Sequence, residues 1–285
     1  MKILGVGRAP QFSPNSVDRD AAILTTVKEQ LELSGEHEVL LIDERELTAE
    51  TLAAPFDRIF SMSRSAAALL LEAEAERSGT PVQNSARGRL QLNRRALLTL
   101  CREKGIPVPD YATADRPIEE PPFAFPFWMK RDDRTTQQAG DVRFVADSSQ
   151  WDETMQTVRE QGIAHYILEQ HIPGDLIKFY SVAGTAFFHH SYPTRNGGFS
   201  KFGTENINGR AQGFAFNVQE LKQKADQLAT AAGITVYGGD AVVQPDGRFF
   251  LIDFNDWPSF SVCRKEAARA IAACVEKPAK PTDKR

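Results

Sequence analysis

Residues 249–260, FFLIDFNDWPSF, combine an apolar run with a group of polar residues directly behind it. The four residues 249–252 predict a buried strand, and oxygen-bearing side chains follow at its end. Side chains two residues apart on a strand point to the same side, so Asp253 and Asn255 are expected to converge while Phe254 enters the core. This segment therefore predicts a core strand that presents oxygen ligands on one face.

The preceding residues supply a partner strand for this segment. The turn PDG at residues 245–247 separates two strand-like runs, which predicts a β-hairpin. Asp240 follows two glycines on the first run and faces Asp253 and Asn255 if the register aligns them. Three oxygen donors of low total charge suit Mg²⁺, with Mn²⁺ as an alternative ion. An Asp-x-Asn pair alone more often marks a turn, but the third acid across the hairpin favours a metal site.

The composition excludes several classes of protein. The 285 residues include 38 acidic and 34 basic ones, a balance that does not indicate a nucleic-acid-binding surface. The apolar run at the N-terminus is too short for a signal peptide, and no later stretch approaches membrane-spanning length. Three widely spaced cysteines indicate neither a zinc site nor a disulfide framework. We therefore expect a cytoplasmic protein that binds neither nucleic acid nor membrane, with its oligomeric state left open.

Strand-like and helix-like segments alternate in the first 90 residues. Strands are predicted at residues 3–7, 38–43, 58–62 and 81–84, with helices at 20–33 and 65–78. This alternation predicts a parallel α/β module. Further along, helices are predicted at residues 93–104, 151–162, 219–232 and 264–275, among several strands. The predicted fold class is α/β, with an α+β organisation in the C-terminal part.

Four segments, in a fixed order, resemble the ATP-grasp superfamily. They are NRRALLTLCREKGIPVPDY (93–111), PFWMKRDD (126–133), YILEQHIPGDLIKFYSVAG (166–184) and GGDAVVQPDGRFFLIDFNDWPSF (238–260). The resemblance is strongest for the branch with ribosomal-protein glutamate ligases and inositol trisphosphate kinases. It implies a pre-ATP-grasp α/β domain at 1–90, a central ATP-grasp lobe at 91–170, a C-terminal lobe with the metal site at 171–276, and a tail at 277–285.

The resemblance also implies an ATP site with Mg²⁺. Asp240, Asp253 and Asn255 become the metal ligands, with Asp253 bridging two ions. Lys130 is expected to reach the α or β phosphate, and Lys178 to face the terminal phosphate as a catalytic residue. The implied adenine and ribose contacts are Glu169, Gln170, His171 and Ile172 for adenine and Asp175 for ribose. Lys130 as an ordinary surface lysine and Asp175 as a turn residue are the simpler alternatives.

The candidate residues for binding the acceptor substrate lie after residue 184. The candidate substrate residues are Tyr192, Arg195, Lys201 and Ser259, with Arg195 also a catalytic candidate because a guanidinium can hold a carboxylate in bidentate fashion. The adjacent His189 and His190 must face opposite ways on a strand, so one is expected to be structural. Residues 131–140 carry a single glycine where many relatives have a glycine-rich phosphate flap.

Three functions remain open from the sequence. The leading hypothesis is an ATP- and Mg²⁺-dependent, ADP-forming ligase that joins a small-molecule or peptide carboxylate to an amine through an acylphosphate. A small-molecule kinase similar to the inositol-phosphate kinases is the second hypothesis. The third is a nucleotide-binding module without catalysis, which the glycine-poor segment 131–140 keeps open.

Overall fold

The computed structural model describes residues 1–33, 35–132, 139–194 and 204–277. The first part is a parallel sheet in the order β2-β1-β3-β4, covered by helices. Its strands are β1 (Lys2–Gly7), β2 (Glu38–Asp43), β3 (Arg58–Ser61) and β4 (Val82–Gln83), and its helices are α1 (Val17–Glu32), α2 (Ala49–Ala53), α3 (Ala66–Arg77) and α4 (Ala86–Gln91). The parallel pairing confirms the α/β prediction for this region. The short helices α2 and α4 were not predicted.

A central antiparallel sheet follows, in the order β5-β8-β6-β7. The elements are α5 (Arg94–Glu103), β5 (Tyr111–Ala114), β6 (Phe127–Arg131), β7 (Val142–Val145), α6 (Ser148–Glu160) and β8 (Tyr166–Gln170). Strand β5 was missed by the sequence prediction because its four residues, YATA, contain no run of β-branched or large apolar side chains.

The third sheet is also antiparallel, in the order β10-β9-β11-β12. Its elements are β9 (Asp175–Val182), β10 (Phe188–Ser191), α7 (Val218–Ala231), β11 (Val236–Val243), β12 (Phe249–Asp256) and the last helix α8 (Arg264–Val275). The predicted hairpin is β11 with β12. Strand β12 does not end at Asp253 as predicted, because the register shifts opposite Asp240 and Ala241 and the ladder then continues to Asp256.

One hydrophobic core is shared between the N-terminal sheet and the third sheet. This core joins α1, β1 and β3 to α8 and the end of β12, and Phe60 stacks on Trp257 with ring centroids 6.0 Å apart. Asn84, just after β4, donates from Nδ2 to the carbonyl of Val236 at 2.7 Å, and its Oδ1 accepts from the N–H groups of Thr235 and Val236. The N-terminal sheet and the third sheet are therefore packed on a shared core.

Helix α5 contributes to a second core with α7 and the third sheet, through residues that include Cys101 and Ile106. The third core is made only of residues between 114 and 168 and belongs to the central sheet. A fourth core lies within the N-terminal part, between residues 4 and 82, on Leu4, Val6 and Ile59 among others. Across the described ranges, every helix falls short of the length and hydropathy that a membrane crossing requires.

Candidate active site

A row of three charged residues crosses the third sheet. Lys178 on β9 pairs with Asp240 on β11, and Asp240 pairs with Asp253 on β12, so the three side chains share one face. Lys178 Nζ lies 3.3 Å from both carboxylate oxygens of Asp240. The hairpin register thus brings the two predicted acids directly opposite each other.

Asn255 extends this row along β12. Its Nδ2 donates to Asp253 Oδ2 at 3.0 Å, while Phe254 between them is buried on the other face. Gly239 permits the close approach of the two strands, since a Cβ there would lie 2.4 Å from the carbonyl oxygen of Asp253. The glycine pair before Asp240 therefore has a packing reason that the sequence alone did not reveal.

The donor set fits a magnesium ion that shares its ligands with a nucleotide. In the part of the chain that the structure describes, no three His, Cys, Asp or Glu residues converge to hold a metal by themselves. Two carboxylates, from Asp240 and Asp253, converge with the amide of Asn255. Mg²⁺ usually takes one or two protein carboxylates and completes its shell with water and phosphate oxygens.

The central sheet faces this row through Lys130 on β6. Lys130 Nζ donates to Glu169 Oε1 and to the carbonyl oxygen of Ile252, both at 2.6 Å. Lys130 is 8% exposed and Glu169 3%. Burial raises the pKa of Glu169 in spite of the neighbouring ammonium group. Lys130 is therefore no ordinary surface lysine, and the Glu169 side chain is committed to holding it in place.

Arg94 is a member of the site that the sequence analysis missed. Its Nη1 lies 3.6 Å from Asp253 Oδ1, and its backbone N–H donates to Asp132 Oδ1 at 2.7 Å. The neighbouring Arg95 instead pairs with Asp115 at 2.6 Å. The helix was predicted to begin at Asn93, which caps α5. Which of the two arginines that follow faces the site depends on how α5 packs.

The positive groups around Asp253 control its ionisation. Burial alone favours the protonated carboxyl, but Arg94 and Lys130, together with the hydrogen bond from Asn255 and the charge of Lys178, lower the pKa of Asp253 below its usual value. Asp253 is therefore ionised at neutral pH, which is the state that a metal ligand requires.

The residues predicted to line the adenine lie where the central sheet meets the third sheet. Gln170 is exposed at the end of β8. His171 Nδ1 accepts from Trp128 Nε1 at 3.2 Å, and burial lowers the pKa of His171. The carbonyl of Ile172 accepts from Asn208 Nδ2 at 3.0 Å. Trp128 thus fixes the ring of His171, and Asn208 fixes the carbonyl of Ile172.

Asp175 has a structural position. Its Oδ1 accepts from the N–H of Gln212 at 2.7 Å, and its Oδ2 from the N–H groups of Gly213 and Phe214 at 2.6 and 2.8 Å. The residue is 4% exposed. Both carboxylate oxygens therefore anchor residues 212–214, and the expected ribose contact of Asp175 stays a prediction.

No protein-family model matches the sequence, and no curated protein matches it significantly. Solved structures do match over nearly the whole chain. A RimK-domain ATP-grasp protein from Sphaerobacter thermophilus is 20% identical, with a TM-score of 0.66 over 96% of this chain and 99% of that one. The chain has the ATP-grasp fold.

Two further ATP-grasp structures are similar. D-alanine–D-alanine ligase from Bacillus anthracis, complexed with ATP, is 13% identical, with a TM-score of 0.65 over 97% of this chain and 96% of that one. The ATP-grasp ligase PsnB, complexed with the precursor peptide PsnA2 and AMPPNP, is 15% identical, with a TM-score of 0.60 over 96% of both chains. The likeness extends well beyond residues 93–264, where the four segments suggested it.

The acceptor side of this ATP-grasp chain differs from expectation. Tyr192 packs beside His190, with ring centroids 6.3 Å apart, against the core of α5, α7 and the third sheet. That core lies on the face of the sheet opposite to Lys178, so Tyr192 lies outside the charged row, and its role as a substrate residue stays a prediction. Ser259 is half-buried, and its Oγ lies 2.9 Å from Ser261 Oγ.

Two predicted acceptor residues, Arg195 and Lys201, lie outside the described residues, as does most of the phosphate-flap segment 131–140. They remain predictions.

The N-terminal sheet holds the end of β12 through two arginines. Arg64 binds the carboxylate of Asp256 and donates to its carbonyl oxygen at 3.3 Å. Arg8 donates to the carbonyl of Trp257 at 3.0 Å and to Asp20 Oδ2 at 3.1 Å. Trp257 has a positive φ of 39°, a conformation that a bulky residue adopts only when its surroundings hold it there. Strand β12, which carries the candidate metal ligands, is therefore anchored at its end.

Proposed function

We propose that the protein is an ATP- and Mg²⁺-dependent ligase that joins a carboxylate to an amine and releases ADP and phosphate. The proposal is carried by one observation: Lys178, Asp240 and Asp253 form a row on the third sheet, and Lys130 reaches that row from the central sheet. Ligases are among the structures that the chain resembles, and one was solved with ATP.

The site residues divide the work of phosphoryl transfer. Asp240, Asp253 and Asn255 would hold Mg²⁺, which supplies charge neutralisation on the phosphates. Lys130 is rigid and buried, and it is suited to hold an α or β phosphate as a point charge. Lys178 lies beside Asp240, on the side away from Asp253, and is suited to bind the phosphate that is transferred.

The carboxylate substrate then takes the terminal phosphate and becomes an acylphosphate. The positive groups Lys178 and Arg94 balance the charge that develops there, since both already lie beside the acids of the row. The amine attacks the activated carbonyl, and phosphate leaves. The proposal puts the nucleotide base at residues 169–172, at the end of β8, the strand that pairs with the strand of Lys130.

Calorimetric titration with AMPPNP and Mg²⁺ tests the nucleotide site. We expect metal-dependent binding by the wild-type protein and its loss in Asp253→Ala combined with Asn255→Ala. Asp246→Ala is the matched control, because Asp246 lies in the turn of the same hairpin and pairs only with the exposed Arg248 in the described structure. Absence of binding by the wild type under several metal ions would overturn the assignment.

A phosphate-release screen separates the three functions. Each of the twenty protein amino acids is offered as the acid and as the amine, with ATP and Mg²⁺. Phosphate release that requires both partners supports the ligase. A phosphorylated acceptor without free phosphate identifies a kinase, and binding without turnover identifies a nucleotide-binding module.

A further inference from the structure

The row of charged residues on the third sheet continues to the edge strand β10. Ser191 pairs with Lys178, and His189 pairs with Tyr180, so His189 lies on the same face as Lys178 and Asp240. His189 and Lys178 are diagonal neighbours on adjacent antiparallel strands. Such neighbours lie about 7–8 Å apart, within reach of long or aromatic side chains. A group bound at Lys178 is therefore accessible to the imidazole of His189.

The next residue faces the other way. His190 contacts Phe216 and Tyr192, with ring centroids 5.5 and 6.3 Å apart. It pairs with Phe179, whose side chain is fully buried in the core of α5, α7 and the third sheet. Burial lowers the pKa of His190. His190 is the structural member of the pair, and His189 is the one that faces the site.

The imidazole of His189 is half-buried and has both nitrogens available. Its described contact is with the ring of Tyr180, at a centroid distance of 6.2 Å, and no described residue forms a hydrogen bond with it. The titratable groups around it are Tyr180 and Lys178 on β9 and His190 beside it on the other face. Lys178 is paired with Asp240. Burial raises the pKa of Tyr180 to about 12, so its phenol keeps its proton at neutral pH.

We propose that His189 is the general base that takes a proton from the amine substrate of the ligase reaction. The proposal rests on the proposed function. As the amine nitrogen attacks the acyl carbon, the C–N bond forms, the C–O bond to phosphate breaks, and phosphate leaves with the electron pair. His189 first takes a proton from the ammonium form of the substrate at a ring nitrogen, which frees the amine to attack, and the proton that the nitrogen loses after attack leaves with the phosphate. Imidazole suits this step because its pKa lies nearest to neutrality among side chains.

The test compares His189→Gln with His190→Phe, which keeps an aromatic ring on the structural face. The assay uses the amino-acid pair that gives the greatest acid- and amine-dependent phosphate release by the wild type. We expect His189→Gln to lower kcat/KM for the amine by about 100-fold or more, the contribution of a positioned base. The pH dependence of kcat/KM for the amine should change in His189→Gln and stay as in the wild type in His190→Phe. AMPPNP and Mg²⁺ binding should be unchanged in both variants.

Hydroxylamine provides a second measurement, because it is largely unprotonated at neutral pH and needs no base to become a nucleophile. With the same acid and ATP, His189→Gln should form hydroxamate at close to the wild-type rate. An equal loss with hydroxylamine and with the amino acid, or an unchanged pH profile, would overturn the base role alone. If the wild type released no phosphate in response to an amine, the ligase and the base role would fall together, whereas AMPPNP binding would still report on the nucleotide site.

Discussion

The buried pair of Lys130 and Glu169 allows a quantitative prediction for stability. The two side chains are 2.6 Å apart at their charged atoms, and 11% and 5% of their surfaces are exposed. Removing one partner of a buried ion pair leaves an uncompensated charge and costs about 3–5 kcal/mol. We therefore expect Glu169→Ala to lower the free energy of unfolding by about 3 kcal/mol or more, since the Lys130 ammonium keeps only the carbonyl of Ile252 among its two hydrogen bonds.

The double variant Lys130→Met with Glu169→Leu separates the cost of an unpaired buried charge from the cost of lost side-chain packing. Replacing both partners with apolar residues of similar size is often neutral or stabilising, so the double variant should be more stable than Glu169→Ala. Lys130→Met alone should lose stability as pH rises. Burial already raises the pKa of Glu169, so the folded state holds that proton to higher pH than the unfolded chain does.

Urea unfolding followed by circular dichroism measures these free energies. The control is Asp246→Ala, which removes an exposed pair with Arg248 of similar length, 2.7 Å, and should change the free energy of unfolding far less than Glu169→Ala does. A cost below about 1 kcal/mol for Glu169→Ala would refute the reasoning, as would a double variant no more stable than Glu169→Ala.

Three further predictions follow from single contacts. Asp175→Ala removes the acceptor of three backbone N–H groups and should lower the free energy of unfolding by at least about 2 kcal/mol in urea. Gly239→Ala introduces a Cβ 2.4 Å from the carbonyl of Asp253 and should weaken Mg²⁺-dependent AMPPNP binding in calorimetry, whereas unchanged binding would contradict the packing reason. Arg94→Leu should weaken AMPPNP binding and leave the pKa of Asp115 unchanged. Arg95→Leu should leave AMPPNP binding unchanged and raise the pKa of Asp115. In the wild type, Arg95 and His165 hold the pKa of Asp115 at about 2. The stabilisation from these contacts is therefore present above about pH 4 and is lost as the pH falls towards 2. A carboxyl NMR titration of both variants measures the pKa of Asp115.

The hairpin of β11 and β12 could be predicted from the sequence because its determinants are local. The turn PDG sets the register of β11 and β12, and the alternation of a strand places Asp253 and Asn255 on one face. The error about where β12 ends has a local cause as well. The shift in the ladder opposite Asp240 lets the strand continue past its apolar run, and no residue pattern marked that shift.

Asp175 and Tyr192 have contacts that residue type did not predict. Both lie in segments that the sequence placed near the site. The carboxylate of Asp175 is turned to backbone N–H groups almost forty residues further along the chain. Tyr192 packs against the core on the far face of the sheet.

The amino-acid sequence by itself determined the fold class, most of the longer helices and strands, and the β11–β12 hairpin with Asp253 and Asn255 on one face, because periodicity and turn chemistry act between residues close in the chain. Only the tertiary structure decided that Lys130 is held by Glu169, that Arg94 rather than Arg95 reaches Asp253, and that the first and third sheets share one core. These contacts join residues far apart in the chain, such as Arg94 and Asp253, about 160 positions apart. Side-chain packing between separate elements selects them.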